Sequence, residues 1–284
     1  MKTKTIDFSK FSSFKMGLTT NVELLEKLED FEHAFPEWIS EESDKAKLIG
    51  SCNNLLIGTK PPPLVMLSKN YDYIKIENKT LKIGAATPSG KIASFCKKND
   101  IADFEFISHL PGTLGGLVFM NAGLKEYEIF NNLLDITTTK GTIKKENIDF
   151  GYRFTNIKDP ILEASFELKY GFDSDKLDMF KKMRLNQPST PSAGSCFKNP
   201  DGDYAGRLIE AVGLKGEKKG SMEFSQEHAN FLVNNGNGKF EDAIYLIQEA
   251  QKRVYEKFDI WLECEIGIID MRYIGKHSPL LGPS

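Results

Sequence analysis

The sequence predicts an α+β protein of two lobes, and three observations predict it. At 284 residues, with 40% hydrophobic and 27% charged residues, the chain can bury a substantial core at a length where single cores begin to split. Short apolar runs bounded by small polar residues recur up to Tyr170 and read as strands. Helical spacing dominates Phe240–Phe258, where Phe240, Ala243, Ile244, Ile247, Ala250, Val254 and Phe258 share one face.

The elements follow in order. Residues 21–32 have mixed helical spacing and precede the first β-rich layer. Lys47–Gly50 and Leu55–Gly58 read as strands around the small polar turn Ser51-Cys-Asn-Asn54. That turn is either a plain hairpin connection or a set of backbone N–H groups able to hold phosphate oxygens. Strands are expected at Leu64–Leu67, Tyr73–Ile76 and Leu81–Ala85, then a helix over Ser89–Asn99 with Ser89 as its cap. Leu133–Thr139 and Thr142–Lys145 read as a hairpin through Lys140-Gly141, and Pro160–Tyr170 as a further strand. Asp173–Arg184 is helix-prone and serves as an inter-lobe connection. Tyr204–Gly213 reads as a short helix, His228–Asn234 as a strand, and Ile260–Ile269 as a terminal strand. The tail Gly275–Ser284 is rich in turn residues and expected to be loosely held. The expected divisions are 1–171, 172–274 and a flexible 275–284.

Composition excludes several classes. The formal net charge of −3 arises from mixed charges without a long basic block, which argues against nucleic acid as a partner. No apolar run is long enough to span a bilayer, and the N-terminus lacks the apolar core of a signal peptide, so the reading is cytoplasmic. The cysteines Cys52, Cys96, Cys196 and Cys264 are far apart and read as reduced packing residues, with no metal site.

Four stretches carry candidate chemistry. In Leu110–Gly123, four glycines lie among apolar residues, which fits a tight backbone surface for a flat ligand, with free N–H groups near Gly112–Gly115 directed at negative charge. Close helix–strand packing explains it equally well, and it matches neither a Rossmann nor a Walker fingerprint. Arg153, flanked by aromatics, is a surface cation–π residue or a charge aimed at a carboxylate or a reduced flavin. Glu263 and Glu265 alternate onto one face of the terminal strand: if that face is covered, repulsion raises one carboxyl, and otherwise both are ordinary solvated groups. Ser195, in Pro191-Ser-Ala-Gly-Ser-Cys-Phe-Lys-Asn-Pro200, lacks the second glycine of a nucleophile elbow and alone reads as a turn serine.

The order of these stretches resembles the UDP-N-acetylenolpyruvoylglucosamine reductases. The resemblance rests on the small-residue turn, P-G-T-x-G-G…N-A-G, Tyr-Arg, S-A-G-S-x-F-K-N-P, A-G-x-L-I-E, H-A-N-F-x-V-N and L-E-x-E, from Leu48 to Ile269. It implies an N-terminal FAD-binding lobe of the vanillyl-alcohol-oxidase type, a C-terminal α/β substrate lobe, and the shorter class of these enzymes. It implies NADPH as reductant, UDP-N-acetylglucosamine enolpyruvate as substrate, and a role in peptidoglycan synthesis. By motif, Ser195 corresponds to the proton donor, Arg153 to the residue steadying the substrate carboxylate, and Glu265 to its acidic partner. Arg184, Lys198 and Asn199 correspond to substrate contacts, while Arg207 and His228 support the pocket. The FAD positions are Gly50, Ser51, Cys52, Asn53, Asn54 and Leu55, then Pro111, Gly112, Thr113, Gly115, Gly116, Asn121, Ala122 and Gly123. The first turn departs from the family's glycine-richer form, which weakens the expected pyrophosphate contact at Ser51 and Cys52. A monomer is expected, and an FAD-dependent sugar or alcohol oxidase on the same flavin fold is the alternative.

Overall fold

The computed structural model describes residues 2–34, 46–273 and 280–282. Its first sheet runs in the order Lys2–Asp7, Thr19–Leu25, Leu64–Leu67, Lys47–Leu48. The first pair is antiparallel and the others parallel. Residues 21–25 are thus strand rather than helix, and the helix begins only at Leu28. Pairing on both sides of this strand overrides the helical spacing of its side chains.

Lys47–Leu48 and Leu55–Ile57 do not pair with each other. The first lies beside Leu64–Leu67, and the second runs parallel to Gly267–Ile269 from the far end of the chain. The Gly50–Asn54 turn is therefore no hairpin but a crossing between two sheets. Cys52 takes φ +54 within it, and the Asn54 carbonyl accepts from Gly267 N at 2.9 Å.

A second sheet of five antiparallel strands runs Gly141–Lys144, Leu133–Thr138, Ile161–Glu167, Thr80–Gly84, Ile74–Glu77. The helices Ser89–Lys98 and Leu114–Phe119 pack on it, burying Ile92, Cys96, Leu114 and Val118 with Ile83, Ala164 and Phe166. Ser89 is the first helical residue, not the cap, and Pro88 precedes it without a capping side chain.

Asp173 caps the helix Ser174–Met183 by accepting from Asp175 N and Lys176 N. Phe180 of this helix is fully buried in the core beneath the five-stranded sheet, edge-on to Phe106 and Tyr127. The expected connection is thus part of the N-terminal lobe's packing.

The C-terminal lobe holds an antiparallel sheet ordered Ser192–Ser195, Phe231–Asn234, Met222–Phe224, Lys218–Lys219. The helix Phe240–Phe258 covers it with the expected bounds and stops where Asp259 turns left-handed at φ +55. The expected terminal strand forms only over Gly267–Ile269; upstream, Cys264 makes a single bridge to Phe197, because the chain is passing from one partner to another. Of the expected loose tail, 275–279 and 283–284 lie outside the described residues. Leu280 is buried on the C-terminal core, and its carbonyl accepts from Gln251 Nε2 at 3.0 Å.

Candidate active site

Arg153 occupies the tip between the short paired strands Phe150–Gly151 and Phe154–Thr155, at φ +54, a conformation that costs a non-glycine residue free energy. Asn121, fully buried, supports this turn: its Nδ2 donates to Gly151 O at 3.0 Å and Glu128 Oε2 at 2.8 Å, and its Oδ1 accepts from Phe130 N at 3.3 Å. The Arg153 Nε donates to Glu265 Oε1 at 3.0 Å, and one terminal nitrogen donates to Gly123 O at 2.8 Å. Its guanidinium lies 5.1 Å from the centre of the Tyr152 ring. The two charged side chains are only 17% and 14% exposed, so the pair sits in low dielectric.

Glu265 is fixed through its backbone as well. Its N–H donates to Cys196 O at 2.9 Å, and its carbonyl accepts from Asn54 Nδ2 at 2.9 Å. Burial pushes its carboxyl above the usual range, against the opposing pull of Arg153 and Lys198. One carboxyl is raised, as expected of a covered pair, but not through repulsion between the two glutamates. Glu263 turns out to Lys198 Nζ, 2.6 Å away, and its side chain is 70% exposed, so burial rather than a second carboxylate perturbs Glu265.

Ser195 ends an edge strand instead of a free loop. Ser192 pairs with Val233 and Ser195 with Phe231, with an irregularity between them where Gly194 takes φ +83. The bulge re-aims the strand end so that Ser195 lines a cleft of about 300 Å³, together with Asn199, Tyr204, Arg207, Lys215 and His228. Burial and the charge of Lys215 push the His228 imidazole down, and its Nδ1 accepts from Asn230 N at 3.2 Å. Arg207 pairs with Asp203, which lies just before the start of its helix. Asn199 Oδ1 accepts from Ala205 N at 3.1 Å, at the start of the helix Ala205–Ala211.

The small-residue stretches come together. A Cβ placed on Gly50 would stand 2.6 Å from Thr113 Oγ1, so the Gly50–Asn54 turn lies directly against the Pro111–Gly116 loop. Gly112 takes φ +155. Ser51 Oγ is buried without a hydrogen-bond partner among the described residues, an arrangement that asks for a ligand acceptor or donor. This orphaned hydroxyl and the glycine-lined contact fit the flavin implied by the resemblance. One detail is corrected: the N–H groups of Leu114 and Gly115 are not free, since they donate to Thr87 O and Ala85 O, both at 2.9 Å. The carbonyls at the end of the Thr80–Gly84 strand reach them first.

Arg153, Glu265 and Asn54 thus form one cluster, which the Cys196 carbonyl joins to Ser195. Arg184 stands elsewhere, its guanidinium bonded to His109 O beside Pro111. Asn230 and the reach of Asn54 to Glu265 are features the sequence reading did not assign. Asn230 lies in the H-A-N-F motif, of which only His228 had been given a role.

Residues 186–269 match the family model described as UDP-N-acetylenolpyruvoylglucosamine reductase, C-terminal domain. The chain is 47% identical over 269 residues to the UDP-N-acetylenolpyruvoylglucosamine reductase of Campylobacter jejuni strain RM1221, covering 93% of this chain and 99% of that one. It is 42% identical over 265 residues to the enzyme of the same name from Helicobacter pylori strain 26695, covering 93% and 98%. The fold matches the crystal structure of UDP-N-acetylenolpyruvylglucosamine reductase from Thermus caldophilus, with a TM-score of 0.80, 24% identity, and 95% and 99% of the two chains covered.

Proposed function

The chain belongs to the UDP-N-acetylenolpyruvoylglucosamine reductase family, and on that footing we propose that Ser195, Arg153 and Glu265 carry its chemistry. The reaction is reduction of the enolpyruvyl ether of UDP-N-acetylglucosamine in peptidoglycan synthesis. We read the flavin as FAD, recharged by NADPH; Gly50–Leu55, Pro111, Gly112, Thr113, Gly115, Gly116 and Asn121–Gly123 would hold it, and when bound it would supply the hydride for the enolpyruvyl methylene carbon.

Negative charge then develops on the adjacent carbon and its carboxylate. Arg153 is suited to meet it, because its guanidinium is delocalised, pre-oriented by Glu265 and the Gly123 carbonyl, and shielded from water. Glu265, its carboxyl raised by burial, accepts from the Arg153 Nε and so holds that guanidinium in place for the substrate carboxylate. Ser195 delivers a proton to the charged carbon, completing UDP-N-acetylmuramate. A serine hydroxyl is a weak acid in water, so this role requires a desolvated and fixed hydroxyl. Arg184, Lys198 and Asn199 contact the sugar nucleotide, and Lys198 exchanges part of its pairing with Glu263 for the diphosphate. We place the enzyme in the cytoplasm; no described helix is long and apolar enough to cross a membrane.

The observation that carries this reading is the enclosed Arg153–Glu265 pair, tied by the Glu265 N–H to the carbonyl of Cys196, the residue after Ser195. NADPH oxidation should depend on UDP-N-acetylglucosamine enolpyruvate and yield UDP-N-acetylmuramate. Turnover with oxygen and an alcohol donor instead would make the chain an oxidase.

A further inference from the structure

The ladder that carries Ser195 ends in an unusual way. Ser195 pairs with Phe231, and Cys196 N donates to Asn230 O at 2.7 Å. The neighbouring chain then turns away, with Phe231 N donating back to His228 O at 2.9 Å and Asn230 N to His228 Nδ1. No backbone remains there to pair with Phe197. The Asn230 side chain takes its place: Oδ1 accepts from Phe197 N at 3.0 Å, and Nδ2 donates to Phe197 O at 2.8 Å. A carboxamide has the donor and acceptor layout of a peptide group, so it supplies one more rung. Asn230 is 3% exposed, and both ends of its amide are engaged with Phe197.

The opposite edge of the same segment carries the acid. Phe197 bridges Cys264, Glu265 N donates to Cys196 O at 2.9 Å, and Lys198 N donates to Glu263 O at 2.9 Å. Residues 196–198 are thus gripped between Asn230 and the strand that presents Glu265.

We propose that Asn230 is a positioning residue for the reaction: its side chain completes the ladder at Phe197 and so fixes Ser195 relative to Glu265. This rests on the reading of Ser195 as proton donor. Without the rung, Ser195 hangs from one bulged pair, and a displacement of about 1 Å is enough to cost roughly 10²-fold in a proton-transfer step.

The test is stopped-flow kinetics of the flavin-loaded enzyme, with flavin reduction by NADPH and reoxidation by UDP-N-acetylglucosamine enolpyruvate followed separately. Asn230→Gly removes the rung, and Asn230→Asp keeps the size and the acceptor but loses the amide donor. We expect Asn230→Gly to leave the reductive step within about 2-fold and slow reoxidation about 10²-fold, with Asn230→Asp intermediate and substrate KM little changed. The double variant Ser195→Ala/Asn230→Gly should reoxidise no more slowly than Ser195→Ala, because Asn230 acts through Ser195. Equal losses in both half-reactions, additive losses in the double variant, or no loss in either Asn230 variant would each overturn the proposal. If Asn230→Gly does not fold, Asn230→Asp decides it by the same half-reaction split. Ser195→Ala measured alongside keeps the two claims apart: its failure to slow reoxidation refutes the donor role itself, whereas normal Asn230 variants beside a slow Ser195→Ala refute only the positioning role.

Discussion

Adding a methyl at Gly50 asks whether the two small-residue loops form one ligand surface. A Cβ there meets Thr113 Oγ1 at 2.6 Å, whereas the next Thr113 atoms, Cβ and Cγ2, stand at 3.8 and 3.9 Å, within ordinary contact. Only the hydroxyl collides. Gly50→Ala therefore forces the loops apart at a cost of about 1–3 kcal/mol, typical of overpacking. If that cost falls on the flavin-ready arrangement, FAD affinity drops roughly 5- to 100-fold. Thr113 makes no side-chain cap bond to the helix that follows it, so Thr113→Ala alone should leave the folding stability nearly unchanged, and its own FAD affinity is the reference for the double variant. Combined with Gly50→Ala it removes the colliding atom and should restore affinity to within about threefold of Thr113→Ala. The assay is titration of flavin-stripped protein with FAD, followed by the flavin spectrum, with denaturant midpoints measured in parallel. A double variant as weak as Gly50→Ala, or a Gly50→Ala that binds FAD normally, would refute the idea that these loops close on one another to receive the cofactor.

Other outcomes follow from the same geometry. Burial raises the Glu265 carboxyl, so the folded state holds a proton that the unfolded chain releases; that stability is present at low pH and is lost as pH rises through the raised value. Glu265→Gln should therefore gain on the parent between about pH 5 and about pH 8 in urea unfolding, and a gap that stays flat over that range would mean Arg153 outweighs burial. Asn121→Ala leaves buried partners at Gly151, Glu128 and Phe130 and should cost about 2–4 kcal/mol; Asn121→Gly, better suited to φ +44, should cost less. Phe180→Ala should cost about 3–5 kcal/mol, as for any fully buried aromatic, whereas under about 1 kcal/mol would mean its helix merely links the lobes.

How much was legible in the sequence depended on the range of the signal. The Phe240–Phe258 helix and the Leu133–Lys144 hairpin were legible because their periodicity and turn residues act within a few positions. The pairing of Leu55–Ile57 with Gly267–Ile269 leaves no such trace, since the partners are separated by most of the chain; hence the false hairpin at Gly50–Asn54. Strand alternation did place Leu262 and Ile266 in the core, but it also put Glu263 and Glu265 on one face. What alternation could not foretell is their separate partners: Glu263 reaches Lys198 at the exposed edge, and Glu265 is buried against Arg153. Arg153, Glu265 and Ser195 were named from motif order alone, because their proximity arises only when residues 196–198 and 263–265 lie side by side. Asn230 was missed for the reverse reason: its side chain acts as backbone, a role that residue type does not announce.

The central claim is that Ser195 gives a proton to the substrate and takes no part in loading the enzyme with electrons. Its most direct test is the Ser195→Ala variant, with both half-reactions followed by stopped-flow absorbance of the flavin. The account predicts reduction by NADPH near the parent rate and reoxidation by UDP-N-acetylglucosamine enolpyruvate slowed by about 10²- to 10⁴-fold, the range for loss of a general acid. Parent-like reoxidation, or the same loss in both steps, would contradict it.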